Sequence, residues 1–217
     1  MPSKNKKKSK AVVADASTVD KKDAEDAHSE NDSNFILSVL NKVATSSSTM
    51  TCVIILHLIA MHQMREYTAT MQQFGAGIPD VMFAYKPTQL KQWINQIGDE
   101  GCLAYQKMAA WDLFPFMESY TLLLGGLLMQ QAKLAKVTGK IALIFPFVMI
   151  CDVIETVLPA KGCKGGHLSR VELSISAEAN KFKWVGFMMG MIFLTALFMY
   201  NTFFPNKNVP ADNKKDQ

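Results

Sequence analysis

Apolar residues in this chain gather in four blocks, and polar stretches holding most of the charge separate them. A soluble domain spreads its apolar positions with a helix or strand period, whereas blocks of about twenty residues predict membrane-spanning helices. The expected spans are about 43–62, 111–131, 141–160 and 184–204. The pattern predicts an all-α polytopic membrane protein, an antiparallel four-helix transmembrane bundle with a short amphipathic helical segment in its first outer loop. Residues 1–34 read as a disordered cytosolic tail, 35–204 as the membrane domain and 205–217 as a cytosolic C-terminal tail.

Within the first block Phe35 to Lys42 is amphipathic and Val43 to His62 is expected to span. Its Ser46, Ser47, Ser48 and Thr49 are tolerated there if they bond back to carbonyls of the preceding turn. Phe74 to Pro79 predicts a turn. Pro87 opens a helix with Leu90, Trp93, Ile94 and Ile97 at 3 and 4 spacing, a face that either caps the bundle or rests on the bilayer. Gly98 is placed to stop it, and a second helix starts near Asp99 and runs directly into span two. Pro115 is expected to bend span two and Pro146 span three, while Pro159 ends span three. Residues 161–183 read as a loop rich in Gly and charge; span four, Trp184 to Phe204, carries no charge. At 1.5 Å per residue each span covers roughly 28–32 Å, enough for a bilayer core.

Two of these spans contain acids. Asp112 and Glu118 lie near the beginning of span two, and Asp152 and Glu155 near the end of span three. Joined by the short 132–140 connection, the two spans must run antiparallel, which brings all four acids to one level; Glu118 lies about 9 Å deeper than Asp112. His57 and His62 fall in the same half of span one. An unpaired Asp at such depth costs at least about 2.5 kcal/mol, so the layer calls for partners, protonation, a cation or a water-filled cavity. The candidate polar pocket comprises His57, His62, Tyr105, Asp112, Glu118, Tyr120, Asp152 and Glu155. It reads in three ways. Asp112 and Glu155 reach the wet interface while Glu118 and Asp152 are protonated packing contacts to Tyr105, Tyr120 or a histidine; or the group binds a lipid headgroup, sterol or amine; or it is a metal site or an acid–base centre. No metal or cofactor is expected. No Glu-x-x-His pair occurs, His57 and His62 at i+5 face apart, and no phosphate-binding glycine loop, paired CxxC or HExxH is present.

Gly186-x-x-x-Gly190 in span four is a seam for close helix packing, within this bundle or onto a second copy or another partner. Cys102 and Cys163 both fall on the outer side, where an oxidising compartment permits a disulfide; Cys52 and Cys151 read as small packing residues. The 132–140 connection holds Lys133, Lys136 and Lys140 and no acid, which favours a cytosolic position for it and for both termini. The terminal Lys214-Lys215-Asp216-Gln217 resembles the dilysine retrieval signal of endoplasmic reticulum membrane proteins. That membrane is the expected location, with the plasma membrane second. The net charge of +4 over 217 residues is too small to argue for nucleic acid, and the 14 Met and 13 Phe suit lipid-facing helices. His167 and the Asn31-Asp32-Ser33 sequon read as inert.

Gly98-Asp99-Glu100-Gly101, Tyr105, Asp112-Leu113-Phe114-Pro115 and Asp152-Val153-Ile154-Glu155 follow one another in an order that resembles a loosely defined group of small four-helix integral membrane proteins. The match covers roughly residues 85–160. It departs at Glu118, where the group's pattern has Tyr, and at Thr156, where it has Asn. The resemblance implies a fold and no activity; a likeness to four-helix sterol isomerase and sterol-binding proteins rests on helix count and buried His and Glu. The first functional expectation is a non-enzymatic binding or accessory protein whose acid layer holds a lipid, an amine or a partner helix. The alternatives are a lipid- or sterol-modifying enzyme with a carboxylate or His proton donor, and a small transporter, which the lack of an internal repeat disfavours.

Overall fold

The computed structural model describes residues 34–74 and 82–204, and the regular structure among them is entirely helical. The tail expected over 1–33, its Asn31 sequon, the turn beyond Phe74 and Lys214-Lys215 lie outside the described residues. Contacts divide the chain into Met1–Ile36 and Leu37–Gln217, and the packing below belongs to the second unit.

The first apolar block is two helices, not one. Helix α1 covers 34–45, and Ser46 leaves helical geometry (φ −107°, ψ 108°) to cap α2, Ser47–Gln72. Its hydroxyl accepts from the Thr49 N–H at 3.3 Å. The hydroxyl run expected to sit inside a span over 43–62 is therefore a boundary, because a serine in extended conformation satisfies a helix-start donor that no carbonyl can reach. Residues 37–45 of α1 lie on α4: a Cβ built on Gly125 would stand 2.8 Å from Leu40, and one on Gly126 3.0 Å from Val43.

Helix α3, Pro87–Trp111, breaks at Gly98 (φ 60°, ψ −166°), a conformation only glycine adopts freely. The first half turns its apolar face inward. Trp93 is buried edge-on against Tyr105 at 5.1 Å, in a core with Met71, Leu90, Ile97 and Ala177. This face caps the helices and does not lie on a bilayer. The second half leads to Pro115, where Asp112–Phe116 form a π turn with Phe114 extended (φ −152°, ψ 119°), and α4 follows over Met117–Leu134. Lys136 in left-handed conformation (φ 57°) ends it, with the Val137 N–H bonded to the Ala132 carbonyl at 2.9 Å.

A short 3-10 turn, Gly139–Leu143, opens α5, Ile144–Cys163. Both proline expectations change here. Pro146 falls in the first turn, where its missing N–H has no helical partner to lose. The helix also passes through Pro159 to Cys163, since so near its end only the Glu155 carbonyl forfeits a bond. The expected loop over 161–183 contracts to 164–169. Helix α6 starts at Arg170 and runs to Phe203 because Ser169 and Glu172 form a capping box: the Ser169 hydroxyl accepts from the Glu172 N–H at 3.2 Å, and the Glu172 carboxylate accepts from the Ser169 N–H at 2.9 Å.

Helices α5 and α6 pack closely. A Cβ on Gly186 would lie 2.8 Å from Val148, and one on Gly190 2.7 Å from Phe145, so the glycine seam is filled from within and is not presented to a second copy. Among the described residues three segments are long and apolar enough to cross a membrane: Ser47–Gln72, Gly139–Cys163 and Arg170–Phe203. The expected span over 111–131 is not among them: the π turn divides it, and α4, long enough at 18 residues, is diluted by Glu118, Ser119, Thr121, Gln130, Gln131 and Lys133.

Candidate functional site

Lysine 183 is the residue around which the acids assemble. It lies fourteen residues into α6, is 8% exposed, and reaches two carboxylates of α5: Asp152 at 3.0 Å and Glu155. The carboxylates are as deeply buried, at 7% and 0% exposure. Burial of three such charges is tolerable only when each is paired and its remaining lone pairs are used. They are used here. The Tyr120 hydroxyl donates to the second oxygen of Asp152 at 2.9 Å, and the Asn180 amide donates to the first oxygen of Glu155 at 2.7 Å. Asn180 in turn accepts from the backbone N–H of Ala84 at 2.8 Å, and Tyr85 and Ser176 hydroxyls meet at 2.7 Å, so the segment before α3 is tied to α6 beside the cluster.

Asp112, buried at the π turn, accepts from the Thr156 hydroxyl at 2.9 Å, a full turn along α5 from Asp152. On the facing side His57 of α2 meets Ser119 at 3.0 Å and stacks on Phe116 with ring centroids 4.8 Å apart. Ser119 donates its one hydroxyl hydrogen to the Phe116 carbonyl at 2.8 Å, so the histidine Nδ1 must be the donor in the His57–Ser119 bond. Above these groups opens a cavity of about 460 Å³. Its polar lining is His57, Thr68, Asp112, Tyr120, Asp152 and Lys183; its apolar wall includes Met64, Met108, Phe116, Leu124, Trp184 and Phe187.

Among the eight residues expected to form a pocket, the fold brings His57, Asp112, Tyr120 and Asp152 to this cavity and sets Glu155 just behind it through Lys183. The others stand apart. Glu118 is half-exposed and outside the network, because Asp112 belongs to the π turn while Glu118 belongs to α4, and the turn rotates one relative to the other. His62 is exposed, five residues beyond His57 and so on another face of α2. Tyr105 is buried in the core under Trp93 and does not line the cavity. Cys102 and Cys163 are joined as a disulfide with Cα atoms 4.9 Å apart, tying α3 to the end of α5 on the same side of the cluster as Asp112 and Thr156. Among the described residues no cluster of three or more His, Cys, Asp and Glu side chains could hold a metal.

Lys183, Asn180 and Thr156 were not expected in the site, although one signal points to them. Traced backward from Gly190 and Gly186 at spacings of 3 and 4, the small-residue seam continues through Lys183, Asn180 and Ser176, all buried. A lysine and an asparagine on a helix face that otherwise packs closely are polar groups seeking partners on the facing helix. Comparison of the chain with protein-family models, with curated proteins and with solved structures finds no match in any of the three.

Proposed function

We propose that α2, α4, α5 and α6 form an antiparallel four-helix membrane bundle that binds an amphiphilic ligand, polar head against the Lys183 cluster and apolar body along the aromatic wall. The pairings support the antiparallel arrangement, since numbers rise on one helix as they fall on its neighbour. Cys102, Asp112 and Tyr120 meet Cys163, Thr156 and Asp152; Asp152, Val148 and Phe145 meet Lys183, Gly186 and Gly190. At 1.5 Å per residue Lys133 and Lys140 lie roughly 20 Å from the cluster along α4 and α5. A hydrocarbon core of about 30 Å measured from those lysines ends about 10 Å beyond the cluster, near the exposed Glu178–Lys181 pair. The cluster then sits inside the membrane, nearer one face. Lys133, Lys136 and Lys140 favour the cytosol for the opposite face.

The observation that carries the ligand reading is the cavity. Its volume of about 460 Å³ lies within the roughly 300–1,000 Å³ of small-molecule sites, and its polar groups converge on one wall while the rest is apolar. Binding is favoured over proton transfer because both oxygens of Asp152 and both of Glu155 are already engaged by Tyr120, Lys183 and Asn180. The full chain purified in mild detergent retains one amphiphile at near-equimolar amount by mass spectrometry of its extract, and Leu124→Trp, which fills the cavity, loses it. Bulk lipid alone in both samples overturns the reading. A glycosylation acceptor inserted in 164–167 is glycosylated and one in 136–138 is not; the reverse result overturns the orientation.

A further inference from the structure

Between the outward faces of α5 and α6 lies a second hollow, shallow and open to the outside and separate from the cavity. It is a groove of about 820 Å³ walled by Phe147, Ile154, Val171, Ile175 and Phe182, each at least one-third exposed, with Arg170 at one end. From Arg170 to Phe182 it runs about 18 Å along α6, and Phe147, beside Gly186, carries it roughly 6 Å deeper, so that about 14 Å lies below the hydrocarbon edge, close to the depth of one leaflet's hydrocarbon, about 15 Å. The connection feeding that end, 161–170, holds Lys161, Lys164, His167 and Arg170 and no acid. The acids there are paired: Glu172 bonds Lys161 and caps Ser169, and Glu178, which itself lines the groove, pairs with Lys181 at 2.6 Å. The charge left at the mouth of the groove is positive. The hydrocarbon edge inferred from Lys133 and Lys140 puts Arg170 roughly 10 Å outside the apolar core, in the headgroup layer.

We propose that this groove holds one acyl chain of an anionic phospholipid, with the phosphate bound by the Arg170 guanidinium at the headgroup level. A planar fork of donors suits a phosphate that can be approached from one side only, and the apolar walls suit a chain that cannot leave the bilayer. The inference rests on the membrane placement of α5 and α6 and is independent of what the inner cavity binds.

Native mass spectrometry of the full chain, released from detergent micelles carrying dioleoylphosphatidylglycerol or dioleoylphosphatidylcholine, tests it. The wild type retains one phosphatidylglycerol in preference to phosphatidylcholine by about fivefold, the effect of one basic residue at a lipid surface. Arg170→Ala abolishes the preference, Ile175→Trp removes the retained lipid of either kind by filling the groove, and Leu124→Trp changes neither. Equal retention of the two lipids by the wild type, an undiminished preference in Arg170→Ala, or lipid still held by Ile175→Trp overturns the proposal. Leu124→Trp separates the two sites: its loss of an inner amphiphile with the groove lipid kept shows that one reading can fail without the other.

Discussion

Helix α2 and the α5–α6 pair are both apolar enough to cross a membrane, yet they are joined to the rest of the molecule in different ways. Of the 26 residues of α2 only Val53, Ala60 and Met71 are buried, and Ile54, Ile55, Leu56, Leu58 and Ile59 all face outward. In α5 eight of 20 residues are buried, among them Asp152, Glu155 and Thr156. Between α5 and α6 lie two glycine contacts and a lysine with two carboxylates; between α2 and α4 the polar tie is the His57–Ser119 bond. In lipid, apolar side chains have no preference between a neighbouring helix and a tail, so small residues and polar groups decide which helices meet. By that rule α5–α6 is a specified pair, and α2 is held chiefly by its end, where Met71 enters the core under α3.

The sharpest way to break the contrast is at Lys183. Lys183→Met leaves two buried carboxylates without their cation and is expected to destabilise the protein by about 3–5 kcal/mol, measured by denaturant titration in micelles. Adding Asp152→Asn and Glu155→Gln to that variant removes the orphaned charges and recovers most of the loss. A triple variant as unstable as the single one would mean that the ions act through packing and not through charge. Next in size is the disulfide. Cys102→Ser with Cys163→Ser opens a bridge of sequence separation 61, with an expected loss of about 2–4 kcal/mol. The same denaturation, with and without reductant, reads it: reductant lowers the wild type to the level of the double variant and leaves the variant unmoved.

How much of this was legible beforehand follows the same division. Features that depend on one residue and its neighbours were readable. Gly98 marks a break, Trp93 and Ile97 mark an apolar face though not what covers it, and the blocks of apolar residues mark all-helical structure with segments apolar enough to cross a membrane. The hydropathy of 161–183 hid the first half of α6, because its charges make the segment look like a loop. The capping box Ser169-Arg170-Val171-Glu172 was the local signal that a helix begins there. Lys183 then changed meaning. At the edge of a span it is a flanking charge; as the fourteenth residue of a helix, on the face that carries Gly186 and Gly190, it is the counter-ion of Asp152 and Glu155. The serine run at 46–48 failed in the opposite direction, since overall apolarity concealed a cap. Glu118 was misplaced for want of the π turn, which no spacing rule anticipates.

The glycine seam offers a smaller test of the α5–α6 side. Gly190→Ala places a methyl 2.7 Å from the Phe145 ring, and the expected cost is about 1–3 kcal/mol as the ring is displaced. Phe145→Leu in the same chain frees the space and restores part of it. Dependence of the alanine's cost on residue 145 is the coupling that a filled seam requires, and strictly additive losses would show that the two positions do not touch.

The smallest effect belongs to α2, and it sets the scale of the comparison. Interhelical hydrogen bonds inside membranes average about 0.6 kcal/mol, because an unpaired side chain still finds other partners there. His57→Phe keeps a ring against Phe116 and removes only the bond to Ser119, so its cost is expected to be about that size. Ser119→Ala lowers stability by a similar amount, and the double variant by no more than either alone, since both delete the same bond. A double-mutant cycle with the denaturation readout measures this. A coupling as large as that between Lys183 and Asp152 would place α2 among the specified helices and erase the distinction between the two regions.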